Sequence, residues 1–249
     1  MSHAADQPGP TGVLVVDKPL GAMSAAMCTL VKGRLKRAHA GRVKVGHGGT
    51  LDPLATGVLI VLVGRATKLS DAVMASGKEY LAEVDLSARS PTDDLEAEPI
   101  AVHVARPPTE ADVRAACHRF LGPILQTPPE HSAMKVGGKR AYTLARAGVE
   151  TGLRPRPVEI REIELVSYAW PTARLRIACG KGVYIRSLAR DLGLALGVGG
   201  VLTALRRTRV GPFTLDEART PDQLPDPLAE RDLLSLDDAR MRLRTRADA

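Results

Sequence analysis

Apolar residues run without a break through Gly12–Asp17 (GVLVVD), and the run closes at Lys18-Pro19. A short continuous apolar stretch ended by a turn signal predicts a buried strand. Ser24 is placed to cap a helix reaching about Arg37, where basic residues complement the C-terminal dipole. Val58–Val63 predicts a second buried strand, and Ala66–Ala75 a helix. From Lys78 to Leu86 the pattern changes to period two, with Tyr80, Ala82, Val84 and Leu86 on one side. That is the pattern of a half-buried strand.

Arg89–Pro108 is rich in Pro, Asp and Glu and is expected to be an exposed excursion. Thr109 with Asp112 three residues on predicts a capping box opening a helix to about Phe120. Lys139–Ala147 reads as a short basic helix. Pro157–Ser167 and Ala173–Cys179 read as consecutive strands, Ile185–Leu196 as a helix and Val201–Val210 as a last strand. Strands and helices mix without a strict βαβ rhythm, so the expected class is α+β. Residues 1–11 read as a disordered polar tail, 12–215 as the main domain, and 216–249 as a short, loosely held extension.

Composition narrows the partners. The chain has 249 residues, a formal net charge of +7 and a pI near 9.6, which favours an anionic partner. The three cysteines, Cys28, Cys117 and Cys179, match neither a zinc spacing nor a disulfide framework, so a reducing cytoplasm is expected. The run Val58–Val63 is far shorter than the roughly 20 residues of a spanning helix. The first residues lack the apolar core of a signal peptide.

The signatures of nucleotide, zinc and serine chemistry fail residue by residue. A P-loop ending at Gly138-Lys139 needs Gly where Ala133 stands and Ser or Thr where Arg140 stands. Gly46-His47-Gly48 has Leu51 in place of the third glycine of a dinucleotide fingerprint, and neither HExxH nor G-x-S-x-G occurs. What remains is one carboxylate, Asp52, in the Gly-rich stretch Lys44–Leu59 ahead of an apolar run. A carboxylate held beside apolar surface is costly unless it is paired or does chemistry. Three of the four tyrosines, Tyr80, Tyr142 and Tyr184, fall in the other segments of unusual chemistry. Tyrosine rings stack on bases, and Lys and Arg neutralise phosphates.

GHGGTLDPLATGVL, KEY, QTPPEHSAMKVGGKRAYTLARAG, CGKGVYIRSLARDLG and LRRTRVGPF, in that order from Gly12 to Phe213, resemble the TruB family of tRNA pseudouridine synthases. The resemblance implies the pseudouridine synthase fold, a mixed, mainly antiparallel sheet flanked by helices, with a thumb-like RNA-binding insertion at about 126–156. It implies isomerisation of uridine 55 in the tRNA T loop. Asp52 would be catalytic, Tyr80 would stack on the uracil near C5, and Arg186 would pair with the catalytic carboxylate. His47, Lys68, Tyr184 and Leu205 would bind substrate, and Lys135, Lys139 and Arg140 would grip the RNA. Neither cofactor nor metal is implied, and the expected enzyme is a monomer needing no protein partner and no membrane.

The reaction moves the C1′ bond of uracil from N1 to C5. A carboxylate at C1′ would act as nucleophile or remove a C2′ proton, and both routes stay open. Burial beside Leu51 and Leu54 would favour neutral Asp52, and Arg186 would oppose that. Action on another RNA, or tRNA binding and folding without catalysis, are the alternative readings. The chain departs from the family pattern at Ser87–Ala97, where two glycines are missing and Pro91 intrudes. It departs again at Gly21–Ala26, which lacks a hydroxyl and a carboxylate. Neither departure is expected to touch the chemistry. The roughly 36 residues after Phe213 are too few for the PUA domain many members carry.

Overall fold

The computed structural model describes residues 9–39, 41–132, 134–136, 138–149 and 151–245, with backbone alone at 135–136, 139–140 and 145–146. In chain order the elements are β1 (Gly12–Lys18), α1 (Ser24–Ala38), β2 (Val45–His47), β3 (Ala55–Val63), α2 (Ser70–Ala75) and β4 (Lys78–Asp85). Then come β5 (Ala88–Arg89), β6 (Ile100–Ala101), α3 (Glu110–His118), β7 (Gly122–Gln126), β8 (Lys135–Val136), β9 (Lys139–Arg140) and α4 (Ala141–Arg146). The chain ends with β10 (Arg156–Ala169), β11 (Thr172–Cys179), α5 (Ile185–Leu196), β12 (Val201–Val210), β13 (Phe213–Thr214) and α6 (Leu236–Thr245). Two compact units result: residues up to Lys78 with those from Arg206 onward, and Glu79–Leu205.

In the first unit β1 and β3 pair antiparallel from Gly12↔Val63 to Lys18↔Gly57, and β2 pairs with the end of β3 through His47↔Val61. Nearly every residue of β1 and β3 is buried, which is why both read as unbroken apolar runs. Val13, Val15, Val58, Ile60 and Leu62 pack with Val73, Phe213, Leu236 and Ala239 in one core. Leu236 and Ala239 lie on α6, so the segment after 216 is not the loose extension its polarity suggests. It also covers the outer edge of β1. Val13 and Leu234 exchange two backbone hydrogen bonds of 2.8 Å, and Asp17 N–H donates to the Arg219 carbonyl at 2.9 Å. Covering an edge strand stops it pairing with another chain. At the other end Thr11 is buried and its amide reaches Glu230 Oε1 at 3.1 Å, so residue 11 is anchored rather than part of the expected tail, of which residues 1–8 lie outside the described residues.

The second unit holds β4, β11, β10 and β7 in that order, with the first half of β12 beside β4. Period two governs β4 and β11: Tyr80, Ala82 and Val84, then Ala173, Leu175, Ile177 and Cys179, are buried while Arg174 and Arg176 are exposed. In β10 the buried residues are Ile160, Ile163 and Leu165, because a register shift between Ile160 and Glu162 inserts an extra residue. The expected capping box is formed: Asp112 N–H donates to Thr109 Oγ1 at 3.2 Å, and Thr109 N–H donates to Asp112 Oδ2 at 2.8 Å. This helix, α3, packs on β10 and α5.

Several expected elements differ. Ser24 does not cap α1, because its hydroxyl is occupied by Leu51, and Met23 holds the cap position. The stretch expected as one helix over Ala66–Ala75 is a 3-10 helix, Gly64–Leu69, followed by α2. Lys139 and Arg140 lie on β9 rather than in a helix; α4 begins at Ala141. The excursion Arg89–Pro108 is not exposed throughout, since Thr92, Asp93 and Asp94 are buried. Among the described residues no helix is long and apolar enough to cross a membrane.

Candidate active site

In the first unit Asp52 occupies the loop between β2 and β3, half-buried, with its carbonyl accepting from Ala55 N–H at 3.0 Å. Three buried side chains hold that loop. Ser24 Oγ donates to the Leu51 carbonyl and accepts from the Leu51 amide, both at 2.9 Å. Lys18 Nζ donates to the carbonyls of Ala22 at 2.7 Å, Pro19 at 3.0 Å and Pro53 at 3.4 Å. Gly21 N–H adds a 2.9 Å bond to the same Pro53 carbonyl. Arg207, 2% exposed, donates Nε to Val58 at 2.8 Å, Nη1 to Thr50 at 3.3 Å and Nη2 to Gly49 at 3.4 Å, each to the carbonyl. Apart from the Leu51 amide, the partners are backbone carbonyls, groups that need a donor wherever they are buried.

Two buried cations therefore hold the loop that carries Asp52. Burial pushes the Lys18 ammonium down to about 8; Asp52 opposes this and Arg207 reinforces it. His47 lies on β2, and among the described residues its buried Nδ1 has no hydrogen-bond partner. Burial, and then the Arg207 charge, hold its imidazole below the usual range, which favours the neutral ring. Lys68 is exposed on the 3-10 helix.

The second unit holds the other candidates. Tyr80 is buried on β4 and Leu205 on β12. Tyr184 precedes α5, and Gln126 fixes it, taking its amide proton at 2.8 Å and donating to its carbonyl at 3.1 Å. Arg186 is 4% exposed, buried at the start of α5. Its Nη1 donates to the Thr92 carbonyl at 3.2 Å and its Nη2 to the His131 carbonyl at 3.0 Å, and Nε lies 3.5 Å from Asp94 Oδ2. One turn on, Arg190 binds Asp93 Oδ2, Asp191 Oδ1 and the Thr127 carbonyl at 2.9, 2.9 and 3.0 Å. Burial raises the Asp93 carboxyl to about 6 against the opposing charges of Arg190 and Arg186. The loop whose departure from the family pattern looked chemically idle thus supplies Asp94 and Thr92 to Arg186. Lys135 and Arg140 are register partners on the β8–β9 hairpin, with Lys139 opposite Val136.

His47 ends β2, just before the loop that carries Asp52, and Tyr184 and Arg186 lie together at one helix start. Lys18, Ser24, Arg207, Asp94 and Arg190 carry no motif that marks them as part of the site. For Arg207 a signal existed: on β12 it falls in phase with Leu205, so strand alternation turns it inward. Among the described residues, no three His, Cys, Asp or Glu side chains gather as a metal site.

Two family models match the chain: the N-terminal domain of TruB family pseudouridylate synthase over residues 36–185, and the tRNA pseudouridylate synthase B C-terminal domain over 186–240. A protein of Arthrobacter sp. (strain FB24) named tRNA pseudouridine synthase B is 45% identical over 224 residues, covering 88% of this chain and 72% of that one. Its namesake in Parabacteroides distasonis is 45% identical over 86% of this chain and 92% of its own. The Mycobacterium tuberculosis H37Rv protein is 47% identical over 90% and 74%. Among solved structures, a Cbf5-Nop10-Gar1 complex matches with TM-score 0.63 and 34% identity over 84% of this chain. An H/ACA RNP bound to a substrate RNA containing 2′-deoxyuridine matches with TM-score 0.66 and 26% identity over 97%. The chain spans 52% of the matched chain in the first of these structures and 68% in the second.

Proposed function

The chain belongs to the TruB family of pseudouridylate synthases, and we propose that it converts uridine 55 in the T loop of tRNA to pseudouridine. The observation that carries this reading is the cradle of Asp52. Ser24, Lys18 and Arg207 secure residues before and after the carboxylate, so that its position is set before substrate arrives. A preorganised group adds no reorganisation cost at the moment of reaction.

In this reading the target nucleotide is flipped from its stack, at a cost of a few kcal/mol. The Asp52 carboxylate then acts on the ribose, at C1′ as a nucleophile or at C2′ as a base. The N1–C1′ bond breaks, uracil turns, and C5 bonds to C1′; the C5 proton leaves and N1 gains one, so atoms balance without an external reactant. Tyr80 supplies the ring beside the base and Arg186 a fixed cation. His47, Tyr184 and Leu205 bind substrate, and Lys68, Lys135, Lys139 and Arg140 meet RNA phosphates. The net charge of +7 favours such a partner. The enzyme works as a cytoplasmic monomer without a protein partner.

The test is incubation with unmodified tRNA transcript followed by chemical mapping of pseudouridine. Product at position 55 alone is expected. Binding without any product would favour a tRNA-folding role, and product confined to other positions would reassign the substrate.

A further inference from the structure

Arg207 presents three donors to three carbonyls that bracket Asp52: Gly49 and Thr50 precede it, and Val58 follows. A planar guanidinium fork can reach such acceptors at once, which a lysine, as a point charge, cannot. The backbone makes room for it. Gly57 sits at φ +97°, and a Cβ there would collide with the Arg207 carbonyl. This close approach brings β12 against β3, so that the guanidinium emerges at the base of the loop. Its burial leaves almost none of its surface open to a ligand. Ser24 and Lys18 hold Leu51 and Pro53, the neighbours of Asp52, whereas Arg207 ties Gly49 and Thr50, at the glycine-rich entry of the loop, to Val58 beyond its exit.

We propose that Arg207 is a positioning residue: by pinning the Gly49 and Thr50 carbonyls to the Val58 end of the loop, it sets the placement of Asp52 without touching substrate. This rests on the reading of Asp52 as the catalytic acid. Its charge adds a second effect, because it helps to hold His47 neutral.

The test uses the full chain and unmodified tRNA transcript, with Arg207→Lys, Arg207→Met, Arg206→Lys and Asp52→Asn compared side by side. A displacement of about 1 Å at a reacting group costs on the order of 100-fold in rate. Arg207→Lys, which keeps the charge and loses the fork, is expected to lower kcat roughly 10- to 100-fold, with KM and tRNA Kd within about threefold of the parent. Arg207→Met is expected to lose more. Arg206→Lys, whose parent side chain binds Asp17 at the surface, keeps the parental rate. Parental kcat in Arg207→Lys overturns the proposal. So does a loss confined to KM and tRNA affinity, which would make Arg207 a substrate contact. A loss of folded state together with binding and activity also overturns it, assigning Arg207 to the fold alone. Turnover by Asp52→Asn is a separate result, because it removes the catalytic reading on which the proposal stands.

Discussion

Ser24 and Leu51 are joined twice: one hydroxyl donates to the Leu51 carbonyl and accepts from its amide, both at 2.9 Å, across 27 residues of chain. The hydroxyl thereby binds the residue before Asp52 instead of capping its own helix. Ser24→Ala strands a buried amide and a buried carbonyl, and each such group costs about 1–3 kcal/mol. The expected result is a loss of at least about 2 kcal/mol in denaturant unfolding, with kcat on tRNA falling more than KM rises. An unchanged unfolding midpoint would show that the two bonds contribute nothing net.

Lys18 gives a pH signature. Its ammonium titrates near 8 in the fold, against an ordinary 10.5. Between those values the unfolded chain binds more protons, so stability rises with pH across about 8 to 10.5, and the full penalty is present below 8. The penalty is on the order of 2 kcal/mol. Lys18→Met lacks this contribution. The stability difference between parent and variant should therefore shift in the parent's favour by that amount from pH 8 to pH 10.5, measured by urea unfolding. A difference that stays constant across the window would contradict the burial effect.

Asp93 has the opposite sign. Burial raises its carboxyl from 3.8 to about 6, so between those values the folded protein holds more protons and stability falls as pH rises. Asn tolerates the left-handed backbone that Asp93 adopts at φ 61°. Asp93→Asn should therefore gain on the parent by on the order of 2 kcal/mol between pH 4 and pH 6.5. Equal differences at both pH values would rule this out.

Arg186 uses its fork on the Thr92 and His131 carbonyls and places Nε near Asp94. Lysine keeps the charge but cannot span both carbonyls, and each partner left unmatched costs about 1–3 kcal/mol. Arg186→Lys is expected to lower kcat by at least tenfold and stability by about 2 kcal/mol, read from tRNA turnover and from urea unfolding. Parental values in both assays would show that the fork is dispensable.

The parts of the fold legible in the sequence were those set by local pattern. The helix Ile185–Leu196 and the strand Val201–Val210 fall where periodicity places them, and the Thr109–Asp112 box forms as spacing implies. The C-terminal segment was misread because its average polarity hides the buried Leu224, Leu228, Leu236 and Ala239. Asp93 and Asp94 were misread for a related reason: a Pro-rich acidic loop looks solvated until α5 supplies Arg186 and Arg190 from more than 90 residues away. In the site, the glycine-rich loop and its acid stood out, but the side chains that hold it did not. Arg207 meets Val58 across 149 residues and Thr50 across 157, distances at which no local pattern operates.

The central claim is most directly tested by Asp52→Asn, which keeps the size and shape of the side chain and removes its charge. Single-turnover incubation with unmodified tRNA, alongside filter binding, separates chemistry from recognition. The expected result is tRNA affinity within about threefold of the parent and no pseudouridine at position 55, since a catalytic carboxylate has no substitute in an amide. Pseudouridine at that position, formed by the variant within about tenfold of the parental rate, would contradict the assignment of Asp52 as the catalytic acid.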